Sequence, residues 1–192
     1  MVGILTALLV FIGGCKNAGQ GAEELKAIET FQAMMSAFRD KDTNTLWKLC
    51  DRKTTEFFQT LGSQIDEARA LIERCYPEKE KEGANKAILG DIVPRGARGK
   101  EVFMALVDPS ALRVSPDKNS YLVEKVVVGG DKALVMTQAS EVFEFVHEDD
   151  GFKTAHFLEA VKRKPWYSTL MENLKTIREN CQKKSGAQNE KD

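Results

Sequence analysis

The chain has 192 residues, which is compatible with one domain, since most domains contain about 100–150 residues. Hydrophobic residues make up 42% and charged residues 30%, proportions that are ordinary for a globular chain. The formal net charge is −1 and no stretch concentrates basic residues. Because nucleic-acid binding requires a positively charged footprint, this composition disfavours a nucleic-acid-binding protein.

The chain begins with an apolar segment. Residues 1–14 carry no ionisable side chain, and Val2 to Ile12 are mostly large and apolar. Such a stretch forms a helix of about 17 Å, too short for a hydrocarbon core of about 30 Å. Its length is typical of a signal peptide instead. The alternative is a buried amino-terminal helix with an incidental cysteine after it.

Directly after this segment, Ile12-Gly13-Gly14-Cys15 resembles the lipobox of bacterial lipoproteins. The resemblance implies that residues 1–14 are removed and that Cys15 is lipidated, anchoring the protein to a membrane of the bacterial cell envelope, facing the periplasm. In enterobacterial lipoproteins an Asp after the cysteine favours the inner membrane. Lys16 stands there instead and by the same resemblance favours the outer membrane. The small, polar residues of 15–22 predict a flexible tether.

Three helices are predicted next. Apolar residues at three- and four-residue spacing predict a first helix over Glu23–Arg39. Asp42 or Thr43 can cap a short second helix. A longer run ends before Pro77, and Gly62 within it, which costs about 1 kcal/mol relative to Ala, allows a kink.

Residues 78–99 combine a mixed-charge run with several glycines, which favours either a solvated connection or a mobile lid over a pocket formed with the sheet. Residues 100–107 predict two further helical turns. A last helix is predicted from Pro165, with apolar residues at regular spacing as far as Cys181. Residues 182–192 are polar and predict a disordered tail.

The segment 121–161 differs from the rest because its apolar residues alternate with a period of two. Turn sequences at 129–131 and 148–151 separate its runs, so it predicts an antiparallel meander of three or four strands with one buried face. The predicted fold is therefore α+β, with amino-terminal helices packed on a curved sheet and a helix after it. Residues 23–181 are predicted to form a single domain.

Two stretches resemble the NTF2-like family. Residues 33–49 contain a helix, a charged Lys-Asp turn and a second helix with Leu and Trp, and residues 148–157 resemble that family's terminal hairpin. The resemblance implies an α+β cone in which a bent antiparallel sheet wraps the first long helix. The long middle segment and the helix after the last strand depart from that pattern.

Candidate chemistry is limited to two histidines. His147 is predicted to be a solvated residue at a strand end. If the fourth run is a strand as far as Val161, His156 shares a face with Phe152, Thr154 and Leu158 and lines the cone. Enzymatic NTF2-like proteins place a His or Asp there as a general base, and a base needs a second group to orient it.

Three roles for His156 stay open at this stage. In the first role, His156 is a catalytic base with a carboxylate partner in a dehydratase, isomerase or hydrolase. In the second, it binds a ligand together with Thr154 and Tyr121. In the third, it is a structural or exposed residue. Metal-ligand spacings, a nucleophilic serine motif and a phosphate-binding glycine loop are all missing from the sequence, which predicts neither metal nor cofactor.

With Cys15 lipidated, Cys50, Cys75 and Cys181 remain in an oxidising compartment. The third predicted helix separates the first two by about 30 Å, beyond the Cα limit of about 7 Å for a disulfide unless the chain folds back. Cys75–Cys181 or Cys50–Cys181 would clip the last helix to the helical layer. Three buried, reduced thiols are the alternative.

Together these patterns indicate an anchored, exported lipoprotein whose NTF2-like domain is non-catalytic and binds a small ligand or an envelope protein. Family members commonly dimerise through the open sheet face, so a homodimer or a protein partner is expected there. Tyr121, Phe143 and Phe145 are candidates on or beneath that face. A structural subunit of an envelope assembly is a further alternative.

Overall fold

The structure is a computed structural model that describes residues 18–107 and 118–189, with side chains over 21–107 and 118–184. The α-helices are α1 Ala18–Asp40, α2 Thr43–Lys48, α3 Arg52–Cys75, α4 Glu78–Ala87, α5 Lys100–Leu106, α6 His156–Lys162 and α7 Pro165–Asn189. The strands are β1 Val123–Gly129, β2 Lys132–Thr137, β3 Val142–Glu148 and β4 Gly151–Lys153, preceded by a 3₁₀ turn, Lys118–Tyr121. The α+β class is confirmed. No helix within the described ranges combines the length and apolar character needed to cross a bilayer.

The four strands form the predicted antiparallel meander in the order β1-β2-β3-β4. Glycines at both turns adopt positive φ, +62° at Gly130 and +117° at Gly151, a conformation that costs glycine little. One face, here called the inner face, is buried and packs against α1, whose Phe31 ring lies 5.2 Å from that of Phe143. The period-two pattern therefore placed one face of the sheet in the core, as predicted.

Helices α2 and α3 begin and end close to the predicted positions, and α1 ends close to its predicted position. Asp42 caps α2, its carboxylate accepting hydrogen bonds from the backbone N–H groups of Asn44 and Thr45, each at 3.1 Å. Asp51 caps α3 in the same way through Thr54 N–H at 2.8 Å. Capping by a carboxylate satisfies N–H groups that the first helical turn leaves unpaired.

A second layer consists of α3, α5, α6 and α7. Helices α3 and α7 run parallel, since Phe57 and Tyr167 make a ring contact near their starts and Cys75 and Cys181 are joined near their ends. Of the pairings left open by the sequence, the structure contains Cys75–Cys181, with Cα atoms 5.4 Å apart. Cys50 is a buried free thiol, and burial raises its pKa.

The segment 78–99 is a solvated connection over its first half, where α4 buries no residue, and is packed over its second half. It begins with α4, and its turns from residue 88 bury Ile88, Val93 and Ala97 in the core. Arg69 of α3, only 4% exposed, holds these turns by donating to the carbonyl oxygens of Gly90, Val93 and Pro94. The glycine and charge content of residues 78–99 did not predict that the turns from residue 88 are packed in the core.

The fourth strand is shorter than predicted. It ends at Lys153, and residues predicted to continue it form α6. Thr154 explains the change, because its backbone leaves the sheet: its N–H donates to Leu49 O at 2.8 Å, and its carbonyl accepts from Asp51 N–H at 3.1 Å. Its hydroxyl oxygen also accepts from the N–H of His156 at 3.1 Å, in the first turn of α6.

Both predicted flexible ends are partly helical. The tether predicted at 15–22 overlaps α1, which begins at Ala18, and the tail predicted from residue 182 is helical as far as Asn189. The predicted signal peptide and Cys15 lie outside the described residues.

Helix α3 continues through Gly62, which lies against α5 and the turn before it. A Cβ at this position would be 2.4 Å from the carbonyl oxygen of Ala97 and 2.8 Å from Cγ2 of Val102. We expect Gly62→Ala to lower the free energy of unfolding by about 1–3 kcal/mol, because this overlap outweighs the higher helix propensity of Ala. Urea denaturation followed by circular dichroism measures the change.

Gly83, in α4, is a matched control, because a Cβ there would meet nothing within 4 Å. Gly83→Ala is expected to raise the free energy of unfolding by up to about 1 kcal/mol. Stabilisation of both variants alike would contradict the close approach at Gly62.

Candidate functional site

The outer face of the sheet, opposite α1, carries an apolar centre on its first three strands. Cross-strand pairing aligns its side chains in two rows, Lys125–Met136–Val142 and Val127–Leu134–Glu144. Val127 is 44% exposed and Val142 56% exposed, and Lys132 forms an ion pair with Glu144 at 2.7 Å. The apolar centre is thus bordered by charged side chains.

Two further exposed apolar side chains adjoin the start of β1. Tyr121 ends the 3₁₀ turn and is 36% exposed, and Leu122 follows it at 48%. Large apolar side chains grouped on one surface mark interaction sites more often than single exposed ones do. The outer face and this adjoining turn are the candidate site.

Across β2 and β3 the inner face is filled by side chains. Phe143 and Phe145, predicted on or beneath the open face, lie beneath it and are buried, as are Ala133 and Val135 of the neighbouring strand. Phe31 of α1 covers them. The space between these two strands and α1 is therefore filled by side chains of the chain itself.

His156 lies in the first turn of α6 and not on a strand. The residue is exposed at the surface, but its ring packs near three aromatic rings, with centroids 6.3 Å from Phe38, 5.6 Å from Phe143 and 6.0 Å from Phe157. Desolvation lowers the pKa of its imidazole, Arg163 lowers it further, and Glu141 acts in the opposite direction.

The three predicted ligand-binding residues do not share a face. Thr154 is buried, and its hydroxyl donates to Glu144 O at 3.2 Å while it supports the first turn of α6. Tyr121 has no hydrogen bond or ring contact with Thr154 or His156 in the part of the chain that the structure describes. The strand face predicted for Phe152, Thr154, His156 and Leu158 is wrong, because the strand ends at Lys153 and His156 begins α6. Ligand binding at Tyr121, Thr154 and His156 stays a prediction.

Two geometric requirements for the catalytic role of His156 can be tested. Within the described ranges, no carboxylate is hydrogen-bonded to its imidazole to orient it, and the ring borders packed phenylalanines.

His147 lies on the surface as predicted, with Nε2 3.7 Å from the Glu23 carboxylate. No cluster of His, Cys, Asp and Glu suited to a metal ion occurs among residues 18–107 and 118–189.

Comparison with known proteins adds no further constraint: no family model, curated protein or solved structure matches this chain. The outer-face residues were missed from the sequence, although Val126-Val127-Val128 contained a signal. Three consecutive valines place apolar side chains on both faces of a strand.

The imidazole of His156 makes a pH-dependent contribution to stability. Its pKa in the folded chain is lower than the ordinary value of 6.5, so in the window below 6.5 the unfolded chain binds more protons than the folded one. The stability contributed by His156 is therefore lost as the pH falls. We expect the free energy of unfolding to drop less between about pH 7 and pH 5 in His156→Gln than in the unmodified protein.

Urea denaturation at both pH values measures this difference. Equal losses for the two proteins would show that the ring is solvated in the folded state, contrary to its packing against Phe143.

Proposed function

We propose that this protein is an exported lipoprotein, anchored through Cys15 to a membrane of the bacterial envelope, that binds a protein partner with the outer face of its sheet. It catalyses no reaction of its own. The observation that carries the proposal is the contrast between the two faces of one sheet. Val127 and Val142 are exposed on the outer face, whereas the inner face is filled by aromatic side chains.

The filled inner face favours a protein partner over a small ligand. A small-molecule site encloses most of its ligand in a concave pocket lined by a few polar groups. Phe31, Phe143 and Phe145 occupy the corresponding volume here. A sheet surface with an apolar centre and a charged border, Lys132 and Glu144 among its members, instead matches the anatomy of protein interfaces.

The disulfide supports export. Cys75 and Cys181 are separated by 106 positions, and disulfides form and persist mainly in oxidising compartments such as the periplasm. This observation is independent of the lipobox resemblance at Ile12–Cys15, and the two point to the same compartment. By the same resemblance, Lys16 favours the outer membrane.

We further infer that α1, α2 and the sheet form an NTF2-like cone. Support comes from α1 lying across the inner face and from Asp42, the residue of the Lys-Asp turn, capping α2. Helices α3, α4, α5 and α7 are then additions to that cone, which accounts for the long middle segment and for the helix at the end of the chain.

A photo-crosslinking amino acid in the outer face tests the partner. Placed at Val142 in the native host, it is expected to crosslink to one discrete envelope protein, because this side chain points out of the sheet and is already exposed. Mass spectrometry of the crosslinked band identifies the partner. Thr176, exposed on α7, is the control position.

Equal crosslinking patterns at Val142 and Thr176 would contradict a dedicated outer-face site. If the protein instead binds a small molecule at another place, the photo-crosslinking amino acid at position 142 would capture no protein. That result would also contradict an outer-face site for a protein partner.

Mass spectrometry of the mature protein tests the anchor. We expect the chain to begin at Cys15, with residues 1–14 absent and a mass increase that corresponds to acyl chains. Recovery of an unmodified Met1 would contradict the anchor and the proposed compartment together, whatever the outer face binds.

A further inference from the structure

The two edge strands of the sheet, β1 and β4, have different surroundings. At the end of β4, Thr154 pairs with residues 49–51, so the chain covers the end of that three-residue edge. Strand β1 pairs with β2 on one side, and among the residues described no backbone hydrogen bond engages its other side. An open edge presents unpaired N–H and C=O groups that readily pair with another strand.

Most of this edge lacks the usual protection against pairing. Bulges, charges and prolines are the common devices, and β1 has a bulge and two charged residues, Glu124 and Lys125, only at its start, where the register shifts. From Lys125 to Gly129 the ladder with β2 is regular. The centre of that regular stretch is valine on both faces, from Val126 to Val128.

A groove runs along the same edge. It has a volume of about 690 Å³, and Glu24 and Ile28 of α1 line it together with the residues of β1. Leu25 lies three positions before Ile28, hence on the same side of α1, and is 56% exposed. Among the residues that the structure describes, the groove therefore joins an unpaired backbone edge to Glu24 and Ile28 of α1.

We propose that a second copy of this chain occupies the groove, with the two β1 strands pairing antiparallel about a two-fold axis at Val127. Val127 is the midpoint of the regular stretch 125–129. An interface of this kind is isologous, so the same strand must be complementary to itself.

The sequence of β1 meets that requirement. With the axis at Val127, this residue faces its own counterpart, Val126 faces Val128 of the second copy, and Lys125 faces Gly129. Glu124 faces Gly130 in the same register. Because both charged residues lie at one end of the strand, antiparallel pairing places no like charges directly opposite each other, an arrangement that would be destabilising.

Pairing also explains the exposed residues near the edge. A two-fold axis perpendicular to the sheet keeps the two outer faces on one side and the two α1 helices on the other. Leu25 and Ile28 of both copies then border the same enclosed groove. The dimer forms through the backbone edge of β1, so it stands whether or not the proposed outer-face partner exists. The Val127 side chain itself belongs to the outer face.

Charge substitution at the axis tests the dimer, using the full chain in detergent. Val127→Lys and Val127→Asp each place like charges opposite one another, so each alone is expected to weaken dimerisation more than about tenfold in sedimentation velocity. An equimolar mixture of the two variants is expected to restore the dimer, since Lys then faces Asp. Circular dichroism checks that both variants are folded.

Val142→Lys is the matched control, because Val142 is similarly exposed on the same face but belongs to β3, away from the edge. It is expected to leave the dimer intact. Loss of the dimer in this control, a monomeric unmodified protein, or failure of the mixture to restore dimers would each overturn the proposal.

Cysteine crosslinking provides a second measurement. It separates a specific dimer from two chains that merely occupy the same detergent micelle. Val127→Cys is expected to form an interchain disulfide on oxidation, because directly opposite Cβ atoms lie about 4.5–5.5 Å apart. Val126→Cys and Val128→Cys are each expected to crosslink poorly alone and well when mixed. Equal crosslinking at all three positions would overturn the register and the axis.

Discussion

The structure depends on α1 lying between the sheet and the other helices. Phe31 on this helix contacts Phe143 of the inner face, and Phe38 contacts Phe157 of α6 at 5.7 Å between ring centroids. Aromatic contacts continue from Phe157 to Phe103 of α5 at 5.6 Å. A single helix therefore joins two layers into one core, and the sheet needs no further element on its other side to bury its aromatic residues.

Thr154 determines where the sheet ends. By pairing with the connection between α2 and α3, it covers the end of one edge and directs the chain into α6. No equivalent residue covers β1 among those described. Both the position of His156 and the asymmetry of the two edges follow from this one junction.

Features encoded by local patterns could be predicted from the sequence. The period of two along β2 and β3, the cap at Asp42 and the apolar spacing of α7 depend on neighbours in the chain, and each matches the structure. Leu25 shows the limit of such patterns. It fits the apolar spacing of α1 but is exposed, because no described element packs on that part of the helix.

Features that depend on distant residues could not be predicted. The packing of Val93 and Ala97 requires a guanidinium from α3, and the end of β4 requires the backbone of residues 49–51. The outer face required the register of three strands, since Val142 meets Met136 only after pairing. The spacing of apolar residues along the chain contains none of this information. The outer-face site could therefore be identified only from the folded structure.

The cross-link between Cys75 and Cys181 closes a covalent ring of residues 75–181, which contains the whole sheet and leaves α1, α2 and the rest of α3 outside. A pulling force applied at the amino-terminal side therefore acts first on helices outside the ring. Under such a load α1 would peel away from the strands while the ring kept its closure. The helix that unites the two layers is thus one that the covalent ring does not secure.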